Sequence, residues 1–138
     1  MKLGVSACLV GVDCKNNGRN NRHEKLLQFL EGKDYVTICP EVLGGLSIPR
    51  SPAEIVGERV MTKDGQDVTE AYHKGAEKAL EILKKEGVDT VILQSRSPSC
   101  GVKQVYDGSF QKILKNSSGI SASLFQANGI VTIDVEDL

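Results

Sequence analysis

Short apolar runs alternate along this chain with stretches whose apolar residues recur at helical spacing. Residues 3–7 read as a buried strand that ends at Cys8. The segment NRHEKLLQFLEG then places Asn21 as an N-cap, Glu24 three residues later, Leu26, Leu27 and Leu30 on one face, and Gly32 at the stop, which predicts a helix. Residues 35–39 are a second strand, rich in β-branched side chains and halted by Pro40.

The next stretch, PEVLGGLSIPRSPAEIVG, holds three of the four prolines and the pair Gly44-Gly45, so it predicts an irregular loop. Within it, Ser51 as N-cap and Pro52 at the first helical position predict one short helical turn through Glu54. A small hairpin is expected where ERVMT leads into the turn Asp64-Gly65. In VTEAYHKGAEKALEILKKEG, Val68, Tyr72, Ala76, Ala79, Leu80 and Leu83 share a face, with Asp67 and Glu70 at the start and Lys84 and Lys85 before Gly87. That is a long helix with one apolar stripe. Residues 90–93 form a third strand, SSGISASLFQANG a short helix capped by Ser117 or Ser118, and residues 130–135 a fourth strand.

Strands alternating with helices favour a mainly parallel sheet with helices on its faces, because parallel neighbours need crossover connections. The expected fold is therefore α/β, Rossmann-like, with residues 1–138 as one domain and ligands at the carboxyl ends of the strands. Those ends carry SACLVGVDCKNNGRNN, CPEVLGGLSIPRSP and SRSPSCG. Cysteine, glycine, proline and small hydroxyl residues concentrate there.

Composition narrows the partner. With 17 Lys+Arg against 18 Asp+Glu the net charge is −1, so the one-sign field used for nucleic-acid or membrane binding is missing. A small molecule is the expected partner, with no nucleic-acid polymer and no membrane; oligomeric state is left open. The start of the chain lacks a long apolar region before a cleavage site, and no apolar run spans a bilayer. The expected compartment is the cytoplasm, where a set of cysteines is more often metal-binding or catalytic than disulfide-bonded.

Cys8, Cys39 and Cys100 each follow a strand end, which suggests a metal centre with one open position. A closed zinc site asks for four ligands with paired short spacing, and no C-x-x-C occurs; Cys14 or His23 could complete a tetrahedron. An iron-sulfur cube suits three thiolates, because its fourth iron can take an outside ligand. Scattered buried cysteines are also ordinary packing groups, and Cys8 with Cys14 could form a redox pair. Spacing alone leaves these readings open.

SACLVG, CPEVLGGLSIPRSPAEI and SRSPSCG, in this order and over nearly the whole chain, resemble the DUF523 family, whose characterised members are thiouracil desulfurases. The resemblance is to the short, single-domain form. It implies a [4Fe-4S] cluster on Cys8, Cys39 and Cys100, with Cys14 outside the ligand set. It also implies a hydrolytic, non-redox removal of sulfur from a thiolated pyrimidine, released as hydrosulfide. Glu41 is the expected general base, and Ser97 the second catalytic candidate.

Ser99, Asn17 and Arg50 are the expected substrate contacts, with Asn20, Asn21 and Arg96 as further candidates. The bland reading of Glu41 is a salt bridge with Arg50, and of the serines and asparagines, turn residues and caps. Family members commonly carry Arg-Tyr-Asp/Asn-Gly where this chain has Lys15-Asn16-Asn17-Gly18, a departure that bears on substrate preference. The alternative from another class is a non-catalytic module that binds zinc or a small ligand. His23 and His73 show no ligand spacing and receive no role.

Overall fold

The computed structural model describes residues 2–138. In chain order the elements are β1 (Lys2–Ser6), α1 (Glu24–Leu30), β2 (Asp34–Ile38), α2 (Pro40–Leu43), β3 (Ala53–Val56), β4 (Arg59–Thr62) and α3 (Thr69–Lys85). They continue with β5 (Thr90–Leu93), β6 (Gln104–Tyr106), β7 (Leu114–Asn116), α4 (Ile120–Ala127) and β8 (Val131–Asp134). Four strands make one parallel sheet in the order β2-β1-β5-β8, as the alternating pattern predicts. β3-β4 and β6-β7 are separate antiparallel hairpins.

Successive side chains of a strand point to opposite faces, and the two cores divide accordingly. Leu3, Val5 and Ile92 pack with Leu26 and Leu30 of α1 on one face. Val91 and Leu93 pack with Ala79 and Leu83 of α3 and with Ala122 and Phe125 of α4 on the other. Gly4 lets α3 sit close on the sheet: a Cβ there would fall 2.7 Å from both Leu83 Cδ2 and Val91 Cγ1. The result is a sheet between helical layers, with its carboxyl edge open.

Several local expectations are corrected. Residues 53–56 form β3 instead of a helical turn. The β-branched pair Ile55-Val56 suits a strand, and Gly57, at φ +62°, supplies the tight turn that pairs it with β4. The turn at Asp64-Gly65 exists, but it adds only a single bridge, Met61 to Asp67, to a hairpin whose partner strand lies upstream. α1 is capped by His23, whose Nδ1 accepts from Leu26 N, and not by Asn21. α4 starts after Gly119, whose position at the N-cap offers no side chain, and the Ser118 hydroxyl donates to Val102 O instead.

Three further elements have no counterpart in the sequence pattern. Pro40 opens the single turn of α2 inside the expected loop, since its missing N–H costs nothing at a helix start. The three-residue strands β6 and β7 are too short for a period-two pattern to show. Gly44 serves a purpose other than turning: its φ is −77°, and a Cβ there would fall 2.0 Å from Ala71 O of α3. Gly45, at φ +93°, makes the turn.

Candidate functional site

β1, β2 and β5 all end at one cavity of about 630 Å³, a size usual for small-ligand sites. Its walls include Cys8, Cys14, Cys39, Cys100, Glu41 and Ser97. Cys8 lies in the 3-10 turn Ala7–Val10 directly after β1, which Gly11 closes at φ +100°. Cys39 directly follows β2 at the N-cap position of α2, while Cys100 follows the turn beyond β5. All four cysteines are free thiols.

Cys14 shares this cavity. Its N–H bonds Val12 O at 2.9 Å, and its carbonyl accepts from Arg50 Nη2 at 2.8 Å and from Cys39 Sγ at 3.9 Å. The fourth thiol therefore stands beside the trio in space, although five residues separate it from Cys8 in the chain. Burial holds the Cys100 thiol up at about 12. Contact with Cys39 lowers Cys14, but contact with Cys8 and burial outweigh it and raise it to about 11. The Cys14 contact, then burial, pushes Cys39 far above the usual thiol range. Without a metal these are neutral thiols, and binding one would release their protons.

Among the described residues no three of His, Cys, Asp and Glu are close enough to share a single metal ion. The donor set still fits a group with several metal atoms, which reaches further than one ion and takes soft thiolate ligands. Asn21 Nδ2 lies 3.9 Å from Cys8 Sγ, an N–H directed at a sulfur.

Glu41 sits on the first turn of α2, facing α3. Its Oε1 accepts from the Tyr72 hydroxyl at 2.5 Å and lies 3.5 Å from Arg50 Nε. Burial first, and then the charge of Glu41, raise the Tyr72 phenol, so it stays protonated and donates. The Arg50 side chain is 8% exposed; its Nη1 donates to Ser47 O, and its Nε is the one buried side-chain nitrogen or oxygen among the described residues without a hydrogen-bond partner. The ion pair of Glu41 with Arg50 is present, yet it leaves the carboxylate at the cavity wall.

Ser97 Oγ accepts from Ser99 N and Cys100 N, both at 3.0 Å, and so shapes the turn that presents Cys100. Its own proton remains available to the cavity. Ser99 is 1% exposed, bonds Ser121 Oγ at 2.9 Å and is absent from the cavity wall. Asn17 is exposed, with Oδ1 accepting from Arg19 N; Asn16 and Asn21 line the cavity in its stead. Arg96, at φ +61°, reaches the wall but ties its guanidinium to both oxygens of Glu136 at 2.8 Å.

Tyr72, Tyr106 and Lys112 also line the cavity, and none was singled out from the sequence. Tyr72 belongs to the apolar stripe of α3, where its spacing marks it as core. Its 31-residue separation from Glu41 leaves no local signal. Tyr106 and Lys112 arrive with the β6-β7 hairpin, and Lys112 holds φ +62°, a conformation that side chains seldom adopt.

Comparison with known proteins agrees with the fold. Residues 3–137 match the family described as 2-thiouracil desulfurase. A protein of Bacillus subtilis (strain 168), "Uncharacterized protein YbbK", is 39% identical over 144 residues, covering 97% of this chain and 95% of that protein. The solved structure of "[4Fe-4S]-dependent thiouracil desulfidase TudS (DUF523Vcz)" superposes with a TM-score of 0.93 at 37% identity, covering 99% of this chain and 92% of the other.

Proposed function

This chain belongs to the 2-thiouracil desulfurase family, and on that premise we propose that it replaces the sulfur of a thiolated pyrimidine by oxygen from water. The reading is carried by one observation: Cys8, Cys39 and Cys100, from three strand ends, meet Glu41 and Ser97 around a single cavity. Cys8, Cys39 and Cys100 would hold a [4Fe-4S] cluster, which when bound supplies a soft Lewis-acid iron for a thiocarbonyl sulfur.

Around that centre the chain's own groups do the remaining work. Glu41 accepts a proton from the attacking water, whose oxygen forms the new bond to carbon as the carbon–sulfur bond breaks. The sulfur leaves as hydrosulfide, the water's protons are shared between base and leaving group, and no electrons are gained or lost. The Ser97 hydroxyl donates toward the substrate while its oxygen keeps the Cys100 turn in shape. Asn16 and Asn21 offer paired donor and acceptor groups to the pyrimidine edge, and Arg50 donates beside them. Apolar wall residues such as Ile38 and Pro40 limit water around the reacting carbon.

Among the described residues no helix is long and apolar enough to cross a membrane. The reading assumes a reducing compartment such as the cytosol, where free thiols persist. Anaerobic reconstitution tests it. The protein should take up iron and acid-labile sulfide in equal amounts and convert 2-thiouracil to uracil and hydrosulfide one for one, with no added reductant. A colourless product without iron, or reconstituted protein that releases no hydrosulfide from thiolated bases, nucleosides or nucleotides, would sink it.

A further inference from the structure

The contacts of Glu41 fall on one of its two oxygens. Oε1 receives the Tyr72 hydroxyl at 2.5 Å and has Arg50 Nε at 3.5 Å. Oε2 receives no hydrogen bond among the described residues and is not a buried unpartnered atom, so it keeps some accessibility on a residue that lines the cavity. A carboxylate tethered through one oxygen presents the other in a fixed direction. A base needs that, because proton transfer requires the lone pair to be aimed at the water.

The tether is built into the backbone. α2 and α3 touch through Gly44 and Gly75: a Cβ on Gly75 would fall 1.8 Å from Pro40 O, and one on Gly44 would fall 2.0 Å from Ala71 O. Pro40 and Ala71 are the chain neighbours of Glu41 and Tyr72. The helix-to-helix distance is thus fixed at the residues that flank the hydrogen bond. Tyr72 is 2% exposed, and Glu41 is the only hydrogen-bond partner of its hydroxyl among the described residues.

We infer that Tyr72 is a positioning residue for the reaction, holding Oε1 of Glu41 so that Oε2 faces the substrate water. The inference rests on Glu41 being the base, and it assigns a polar duty to a side chain otherwise read as core.

The test compares four reconstituted holoproteins, wild type, Tyr72→Phe, Glu41→Gln and the double variant, with 2-thiouracil as substrate. Tyr72→Phe keeps the buried ring and removes only the hydroxyl. It should lower kcat about 10- to 100-fold, as loss of one charge-assisted positioning contact does. KM and iron content should stay at wild-type values, while the thermal midpoint falls modestly because Oε1 loses its donor. The double variant should be no slower than Glu41→Gln alone, since the hydroxyl acts through the carboxylate.

Wild-type kcat in Tyr72→Phe beside a crippled Glu41→Gln would overturn this inference and leave Glu41 as the base. A Tyr72→Phe protein that melts early or loses iron, with kcat per iron unchanged, would also overturn it, because the hydroxyl would then serve only packing. Full turnover by Glu41→Gln would remove the base reading, and this inference with it.

Discussion

The cavity wall that carries Cys100 is tied to α4 by backbone hydrogen bonds, whereas the wall that carries Glu41 meets α3 through close glycine contacts and side-chain bonds. On the Cys100 side, Ile120 N bonds Pro98 O, Ser121 N and Ala122 N bond Ser99 O, and Gly119 N bonds Gly101 O. Ser97 adds two more bonds within the turn. On the Glu41 side, a four-residue helix places a carboxylate between Tyr72 and Arg50, and only Gly44 and Gly75 bring the supporting backbones together. The first construction makes a rigid seat for the Cys100 thiol. The second holds a carboxylate by one oxygen, and replacing a single side chain can disturb it without unfolding the seat.

Substitutions can break this contrast. The largest effect is expected from Cys39→Ala or Cys100→Ala, which should lose iron and reduce hydrosulfide release to the uncatalysed background; Cys14→Ala should keep both. Measuring iron, acid-labile sulfide and turnover on the same samples checks this, and loss of iron in Cys14→Ala would add a fourth thiol to the ligand set. Next is Glu41→Gln, which should keep iron while slowing turnover of 2-thiouracil about 100- to 10,000-fold.

Gly75→Ala tests the Glu41 wall through its backbone. The added methyl meets Pro40 O, so α2 must move off α3 at a cost of about 1–3 kcal/mol, read from the urea midpoint, with a fall in kcat as the Tyr72–Glu41 bond opens. Ser97→Ala tests the other wall. Two backbone N–H groups lose their acceptor, at about 1 kcal/mol. If the midpoint does not move, the Cys100 turn is held by its ties to α4 alone.

The smallest effect concerns the start of α3. Asp67 accepts from the Thr69 hydroxyl and Thr69 N and pairs with Arg59 at 2.6 Å, and these contacts lower its carboxyl from 3.8 to about 2. A depressed folded value means the contribution is complete above about pH 4 and disappears as pH falls toward 2. Asp67→Asn should flatten the acid limb of the stability curve over that window. An unchanged limb would assign the acid sensitivity to other carboxylates.

Long elements were legible because their periodicity extends over several turns or strands. The stripe of Tyr72, Ala76, Ala79 and Leu83 predicts the packed face of α3, and the β-branched runs predict β2 and β5. Short pieces were not. A four-residue helix and three-residue strands contain too few positions for a pattern, and Ser51-Pro52 imitates a helix start although the chain there runs extended. Polar residues divided the same way. Cys8, Cys39 and Cys100 lie at strand ends that topology gathers, while the choice of Asn16 and Asn21 over Asn17 depends on how one loop turns.

By itself the sequence determined a parallel α/β sheet, the edge where its chemistry collects, and the three segments that deliver sulfur to that edge. Hydrophobic spacing records which face of each element is buried, and that is enough to order layers and strand ends. Tertiary structure alone decided that Cys14 joins the cavity, that Ser99 turns away to Ser121, and that Tyr72 holds Glu41 by one oxygen. These are meetings of individual atoms, in the last case across 31 residues, and they depend on backbones brought into contact where two glycines lack a Cβ.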